Sequence, residues 1–202
     1  MSKEFYIVRH GLTEKPGVLL GQHDVALSGE GRRQASELAR QLAAETAAET
    51  PAKTIERIVS SQLRRARETA AVLAESCGLS VETDARLNEI SYGCWDGLTW
   101  DAIERLDPAT AQRKSADWWS ATPAGGETAL EFFRRVQQAW TALLAHPANI
   151  TMIVAHEAVN AMLAELVRNA EASEDIEWEP DWKRISSFRQ PPGTLCKLSV
   201  RK

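Results

Sequence analysis

Short apolar runs and amphipathic stretches alternate along this chain. Apolar runs rich in β-branched residues predict buried strands, and apolar residues that recur at helical spacing predict helices between them. The predicted strands cover residues 4–8, 56–60, 79–84, 150–155 and 194–200. The predicted helices cover residues 29–44, 63–75, 129–145 and 158–168. Ser28, a favourable N-cap residue, precedes the first helix.

The order of these elements predicts an α/β fold. We expect a three-layer sandwich, in which a mostly parallel central sheet is flanked by helices. Residues 97–122 have a helical pattern and carry Trp100, Trp118 and Trp119, which predicts a small helical cap inserted over a site. The chain has no internal repeat and no low-complexity linker, so residues 1–202 are expected to form a single domain with this cap-like insertion.

The composition is that of an ordinary globular protein, with 202 residues of which 44% are apolar and 26% charged. A net charge of −4 argues against a general nucleic-acid-binding protein, which would be basic. Neither a membrane span nor a signal peptide is evident. Three widely spaced cysteines, Cys77, Cys94 and Cys196, indicate free thiols and a cytoplasmic location. The sequence leaves the oligomeric state open, with a homodimer as one option.

Three of the predicted strands end at cationic side chains. These are Arg9 and His10 after the first strand, Arg64, Arg65 and Arg67 after the second, and His156 after the strand at 150–155. The carboxyl ends of parallel strands gather at one edge of a sheet, where helices also point backbone N–H groups at a ligand. Each residue alone could be structural, but their conjunction predicts a site for a compact anion. Phosphate is the favoured candidate, because the arginine fork matches its oxygens.

A series of motifs runs in order along nearly the whole chain. They are RHG with Thr13 (residues 9–13), DVALSGEGRRQA (24–35), SSQLRRARETA (60–70), LNEISYGCWDG (87–97), PAGGET (123–128) and IVAHEAV (153–159). In their spacing and order they resemble the histidine phosphatase superfamily, the phosphoglycerate-mutase-like proteins. Within these motifs the resemblance selects Arg65 among the neighbouring arginines and Glu89 in the turn-rich stretch.

The resemblance implies a role for each of these residues. His10 would be the nucleophile and would form a phosphohistidine. Arg9, Arg65 and His156 would bind the three equatorial phosphoryl oxygens. Glu89 would act as general acid and then as general base, with a pKa raised by partial burial. The aromatic neighbours Tyr92 and Trp95 could supply that burial. By the same resemblance Gly11 and Thr13 belong to the substrate-binding set, and we add Glu157, which directly follows His156, to that set.

The sequence departs from the family pattern at three places. The Asn that often follows the signature is replaced by a loop that begins Glu14-Lys15, and Ser60 or Ser61 could supply a hydroxyl instead or simply cap the next helix. Glu157 stands where the family usually has Gly; it could repel the substrate, meet a cationic part of it, or cap the first helical turn. The insertion is short and rich in tryptophan rather than in basic residues, which favours a phosphatase over a mutase.

The predicted function is metal-independent hydrolysis of a small phosphorylated substrate through phosphohistidine. Two alternatives stay open, namely phosphoryl transfer of the phosphoglycerate-mutase type and a non-catalytic module that binds or senses a phosphorylated ligand. We expect no cofactor and no metal. A metal site built from His10, Asp24, Glu89 and His156 would be opposed by the neighbouring arginines. We also expect no nucleic-acid partner and no membrane association.

Overall fold

The computed structural model describes residues 2–48, 54–170 and 179–200. The seven strands of this part are β1 (Lys3–Arg9), β2 (Val18–Leu19), β3 (Arg57–Ser60), β4 (Val81–Thr83), β5 (Leu98–Thr99), β6 (Ile150–Ala155) and β7 (Leu195–Val200). The helices in the same ranges are α1 (Gly29–Ala48), α2 (Arg64–Cys77), α3 (Trp100–Leu106), α4 (Pro108–Ala116), α5 (Ala129–Ala145), α6 (Glu157–Ala170) and α7 (Trp182–Ser187). Within these ranges, we find no helix with both the length and the apolar character of a membrane span.

The central sheet has five strands in the order β4-β3-β6-β1-β7. The first four strands of that order run parallel, and β7 pairs antiparallel with β1 at the edge. The sheet is therefore mostly parallel, as predicted. A second, two-stranded sheet joins β2 to β5 and ties the loop after β1 to the start of the cap segment.

Side chains alternate between the two faces of the sheet, and each face is covered by helices. Phe5 and Ile7 of β1 belong to a core cluster with residues of α5 and α6. The next residue, Val8, belongs to the second cluster, which contains apolar residues of α1 and α2. All six residues of β6 are buried, because this strand is covered on both faces. These two cores confirm the three-layer α/β sandwich.

Most predicted elements occur with small shifts at their ends. The strand at 150–155 has the predicted bounds, and the Ser28 hydroxyl caps α1 by accepting the N–H of Gly31 at 3.0 Å. The cap segment is two helices, α3 and α4, followed by a turn rather than a continuous helix. The helix α7 and the small β2-β5 sheet were not predicted. The sequence also has an acidic stretch, EASEDIEWEPDW (171–182), of which residues 171–178 lie outside the described residues.

The loop that carries His10 crosses the first turn of α1 at very short range. A Cβ atom at Gly11 would lie 2.4 Å from the carbonyl oxygen of Gly31, and a Cβ atom at Gly31 would lie 2.0 Å from the carbonyl oxygen of Leu12. The two backbones can approach this closely because neither residue has a side chain. Gly11 therefore has a packing role as well as its place in the signature motif.

We expect Gly31→Ala to destabilise the protein by about 1–3 kcal/mol, because the new methyl group overpacks against the Leu12 backbone. It should also lower activity, since the displaced loop carries His10. Gly29 supplies a matched control in the same helix, because a Cβ atom there meets nothing within 4 Å. Urea unfolding of the two variants measures the difference, and equal stabilities for both would contradict this account of the crossing.

Candidate active site

Three strand ends meet where the sequence predicted them to meet. The central strand β6 has β1 on one side and β3 on the other, with Arg9 opposite Ala155 and Ser60 opposite Val154. The residues that follow these strands are therefore neighbours. The rings of His10 and His156 lie 5.1 Å apart, centroid to centroid, in an edge-on arrangement. A cavity of about 1380 Å³ opens from this edge toward the cap.

The hydrogen bonds of His10 define one tautomer of its imidazole. Nδ1 lies 2.8 Å from the carbonyl oxygen of Gly11, which can only accept, so Nδ1 carries the proton. On the other side of the ring, the Arg65 Nε–H donates to Nε2 at 3.2 Å. Burial, helped by the charges of Arg65 and Arg9, lowers the pKa of His10 to about 3. The ring is therefore neutral at mildly acidic pH, and its Nε2 lone pair is free of a proton.

Arg65 is almost fully buried and connects His10 to the loop that replaces the usual Asn segment. Its Nη1 and Nη2 groups donate to the carbonyl oxygens of His23 and Gly21 at 2.9 and 2.7 Å. A guanidinium has five N–H groups, so further donors remain for a bound anion after these bonds and the bond to His10. Arg65 thus both fixes this loop and presents positive charge beside the nucleophile candidate.

Arg9 lines the cavity and is held from the side of α6. Its Nη1 lies 3.0 Å from Glu157 Oε2 and 2.7 Å from the carbonyl oxygen of Gln190. Glu157 also accepts the backbone N–H of Gln190 at 3.4 Å. The acid at the family's glycine position therefore pairs with an arginine of the site. This contact gives Glu157 a role outside the three that the sequence suggested, because it balances the charge of Arg9 and orients its side chain.

His156 is completely buried and is anchored through a serine. Its Nε2 lies 2.8 Å from Ser61 Oγ, and that hydroxyl also reaches Asn88 Oδ1 at 2.9 Å. Ser61 Oγ also accepts the N–H of Leu63, the residue that precedes α2. His156 Nδ1 is buried without a hydrogen-bond partner among the described residues. This buried ring nitrogen lies beside His10 and is a candidate contact for a bound ligand.

Glu89 is half-buried in the cavity wall, near the start of the turn-rich stretch at 87–97. Its carboxylate accepts the backbone N–H groups of Ile90 at 3.0 Å and Ala158 at 3.4 Å. Desolvation raises the pKa of Glu89 in spite of these bonds and the nearby Arg65 charge. Arg135 holds the preceding backbone, since its Nη1 donates to the Asn88 carbonyl oxygen at 2.9 Å. The raised pKa favours the protonated form that a general acid needs.

The two aromatic residues expected to bury Glu89 have different positions. Tyr92 lines the cavity together with Glu89, and burial together with the charge of Glu89 raises the pKa of Tyr92. Trp95 is fully buried in the core instead and does not line the cavity. Tyr92 therefore lines the cavity beside Glu89, whereas Trp95 is part of the core.

The remaining predicted residues are distributed as follows. Arg9, His10, Arg65, Glu89 and Glu157 line the cavity. Gly11, Thr13 and His156 are not among the lining residues, although Gly11 orients His10 and the His156 ring packs beside it. Among residues 2–48, 54–170 and 179–200, no group of three His, Cys, Asp or Glu side chains is arranged to hold a metal ion.

Several residues that shape the site were not predicted from the sequence. Gln190 lies far along the chain, and its backbone contacts both Arg9 and Glu157. Arg135 lies within a helix that carried no motif, yet it reaches the carbonyl oxygens of Arg86 and Asn88 and pairs with Glu127. Both act through contacts between distant segments. The only sequence signal for Arg135 is a charged residue on the apolar side of α5.

We expect Glu157→Gln to tighten the binding of inorganic phosphate about 3- to 10-fold, because it removes a negative charge next to Arg9 in a partly shielded site. The amide oxygen of Gln can still accept from Arg9, so the geometry is retained. Competitive inhibition by phosphate measures this effect. Glu157→Asp keeps the charge and should show no such gain; weaker phosphate binding by the Gln variant would mean that Glu157 chiefly orients Arg9.

Comparison with known proteins identifies the family. The model of the histidine phosphatase superfamily (branch 1) matches residues 5–194. This range contains the predicted site residues Arg9, His10, Arg65, Glu89 and His156. The chain belongs to this superfamily, in agreement with the resemblance of its motifs, and it is an enzyme of that family.

Its relatives include proteins named as phosphatases and as mutases. The chain is 33% identical over 176 residues to glucosyl-3-phosphoglycerate phosphatase of Mycobacterium tuberculosis (strain CDC 1551 / Oshkosh), covering 81% of this chain and 74% of that protein. It is 31% identical over 164 residues to a protein of Erwinia tasmaniensis named "Probable phosphoglycerate mutase GpmB", covering 76% and 69%. The native structure of mycobacterial glucosyl-3-phosphoglycerate phosphatase matches with a TM-score of 0.79 at 27% identity, covering 98% of this chain and 91% of that one.

Proposed function

We propose that this enzyme hydrolyses phosphomonoesters through a phosphohistidine on His10, with Glu89 as the general acid and base. The observation that carries the proposal is the state of His10. Its Nδ1–H is committed to the Gly11 carbonyl oxygen, and its lowered pKa keeps Nε2 unprotonated beside Arg65. A neutral imidazole in an arginine-lined cavity suits attack on a phosphoryl group.

In the first step, the Nε2 lone pair of His10 attacks phosphorus while the bond from phosphorus to the alcohol oxygen breaks. Glu89 gives its proton to that oxygen, and the neutral alcohol leaves. Arg9 and Arg65 stabilise the charge on the equatorial oxygens of the transition state. The Ser61 hydroxyl donates to Asn88 Oδ1 and therefore accepts from His156 Nε2–H, so His156 would complete this set as an imidazolium, with its unpartnered Nδ1 taking up a proton together with the phosphate dianion.

In the second step, water replaces the alcohol. The Glu89 carboxylate takes a proton from the water, whose oxygen attacks phosphorus, and the bond from phosphorus to nitrogen returns its electron pair to His10 Nε2. Inorganic phosphate leaves, and Glu89 is again protonated. The positive charge that this chemistry needs is supplied by the two arginines, so the proposed steps run without a metal ion.

The cap favours hydrolysis, in which water accepts the phosphoryl group, over a mutase reaction, in which a sugar acid accepts it. A mutase needs cations that grip the second anionic group of its substrate. The cap segment, residues 97–122, has three basic residues, of which Lys114 lines the cavity and Arg105 and Arg113 do not. Arg113 instead reaches the side chain of Thr110 within α4. We therefore place phosphatase activity ahead of mutase activity.

Phosphate release from a panel of monoesters, measured with EDTA present, tests the proposal. We expect turnover that EDTA does not remove, and no mutase activity in a coupled assay with phosphoglycerate. Mutase turnover without phosphate release would replace hydrolysis by transfer. If phosphate binds but no monoester is turned over, the chain would be a phospholigand-binding module and the proposed function would be wrong.

A further inference from the structure

The cavity is much larger than a phosphoryl group. Its volume of about 1380 Å³ exceeds the range of about 300–1,000 Å³ that is usual for sites of drug-sized ligands. It is continuous from Arg9 and His10 to the cap and to α7. If the phosphoryl group lies against His10, as the proposed function has it, the alcohol part of the substrate must occupy the remainder.

That remainder is walled by aromatic rings. Six aromatic side chains of the described residues line it, namely Tyr92, Trp100, Trp118, Trp119, Trp182 and Phe188. All but Tyr92 are half-buried, in contrast to the core residues Trp95 and Trp140, which are 0% and 4% exposed. The tryptophans of the cavity therefore keep part of their ring surface uncovered, as a binding wall does and a filled core does not.

The adjacent residues Trp118 and Trp119 belong to opposite sides of this wall. Trp118 stacks with Trp100 at 6.2 Å and meets the edge of Tyr92 at 5.7 Å, centroid to centroid. Trp119 packs on Trp182 of α7 at 4.8 Å, and its indole N–H donates to Ser186 at 2.8 Å. The cap and α7 are thus joined by ring contacts, which fixes the two sides relative to each other.

A buried lysine adds a polar group to the wall. Lys114 is 4% exposed, and its Nζ lies 4.8 Å from the Trp118 ring centroid and 5.6 Å from that of Tyr92. Its hydrogen bond to the Trp118 carbonyl oxygen, at 2.6 Å, uses one of three N–H groups. Burial lowers its pKa to about 8. Donors remain for an acceptor atom on a ring-bearing ligand.

We propose that this aromatic wall is the leaving-group subsite, and that the natural substrate is a phosphomonoester whose alcohol carries an aromatic or heteroaromatic ring. The inference rests on the proposed function and goes beyond it by assigning the substrate class. A planar ring is expected to bind this wall most tightly. It can stack on the uncovered indoles or meet their edges, and it also buries apolar area. Lys114 would donate to an acceptor on that ring.

A matched series of alkyl phosphates tests the subsite without changing the chemistry of the leaving oxygen. The series is 2-(indol-3-yl)ethyl, 2-phenylethyl, 2-cyclohexylethyl and ethyl phosphate. We expect kcat/KM to be about 10-fold or more higher for the two aromatic esters than for ethyl phosphate, mainly through KM. The cyclohexyl ester should fall clearly below the phenyl ester, because it offers similar apolar area without a ring face.

Two substitutions in the aromatic wall test whether it causes the preference for aromatic esters. Trp118→Leu on the cap and Trp182→Leu on α7 should each reduce the ratio of aromatic to ethyl kcat/KM several-fold. Leu106→Ala is the control, since Leu106 lies on α3, is 58% exposed and does not line the cavity. It should leave the ratio unchanged. The substrate series is measured with the unaltered enzyme, so it tests the subsite even if a variant fails to fold.

The outcomes separate this inference from the proposed function. Equal kcat/KM for aromatic and ethyl esters, with release that depends on His10, would overturn the subsite and leave the phosphatase. Equal values for the cyclohexyl and phenyl esters would also overturn it, because the wall would then recognise apolar area alone. If no monoester in the series or in the wider panel released phosphate, the proposed function would fail and the inference with it.

Discussion

Replacing His10 by Ala is expected to lower kcat for phosphomonoester hydrolysis by about 10⁴-fold or more, as removal of a nucleophile does in enzymes that form covalent intermediates. The variant removes the Nε2 lone pair that would attack phosphorus, whereas Arg9 and Arg65 stay in place. Phosphate should therefore still bind. Steady-state kinetics with p-nitrophenyl phosphate, together with phosphate titration, measure both quantities.

His146→Ala is the matched control for this loss. His146 lies between α5 and β6, at the opposite end of β6 from His156, and its Nδ1 accepts the Ala148 N–H at 3.2 Å. Its removal should leave kcat unchanged. If His10→Ala retained the activity of the unaltered enzyme, the phosphohistidine mechanism would be wrong, and the measured activity would have another source.

Glu89→Gln is expected to give the second largest effect, with kcat for alkyl phosphates lowered about 10²- to 10⁴-fold. The amide cannot protonate the departing alkoxide. p-Nitrophenolate leaves without a proton, so phosphorylation of His10 by p-nitrophenyl phosphate should survive while hydrolysis of the intermediate slows. Rapid mixing should then show a burst of p-nitrophenolate, about one equivalent per active site, followed by slow turnover.

The pH dependence provides a second test of Glu89. Burial raises the pKa of Glu89 in the free enzyme, so the acid form persists to higher pH than usual. As pH rises through that pKa the proton is lost, and kcat/KM for alkyl phosphates should fall. This alkaline decline should be absent in Glu89→Gln. Glu75→Gln, an exposed change on α2, is the control and should keep the decline. Persistence of the decline in Glu89→Gln would assign it to another group.

Much of the fold could be predicted because its strongest signals are local. The strand β6 is apolar along its whole length, so its bounds, Ile150–Ala155, follow from the sequence alone. The placement of Arg9, His10 and His156 at one edge followed from a general property of parallel sheets. By contrast, β2, β5 and α7 are short segments with little intrinsic preference. They depend on pairing with distant residues, such as Trp119 against Trp182.

The unpredicted parts of the site also depend on long-range contacts. The sequence could list three roles for Glu157 but could not show that Arg9 lies 3.0 Å away. Nor could it show that Arg65 holds the carbonyl oxygens of Gly21 and His23, which organises the loop where the usual Asn is missing. Such pairings join residues that are remote along the chain, and no local pattern encodes them.

Trapping of the covalent intermediate tests the central claim most directly. The enzyme would be mixed with a monoester substrate, quenched in base to preserve phosphoramidate, digested and analysed by mass spectrometry, with Glu89→Gln used to slow hydrolysis. We predict one phosphoryl group per chain, on the peptide that contains His10. Its absence in a variant that still shows the p-nitrophenolate burst, or its presence on another residue, would contradict His10 as the nucleophile.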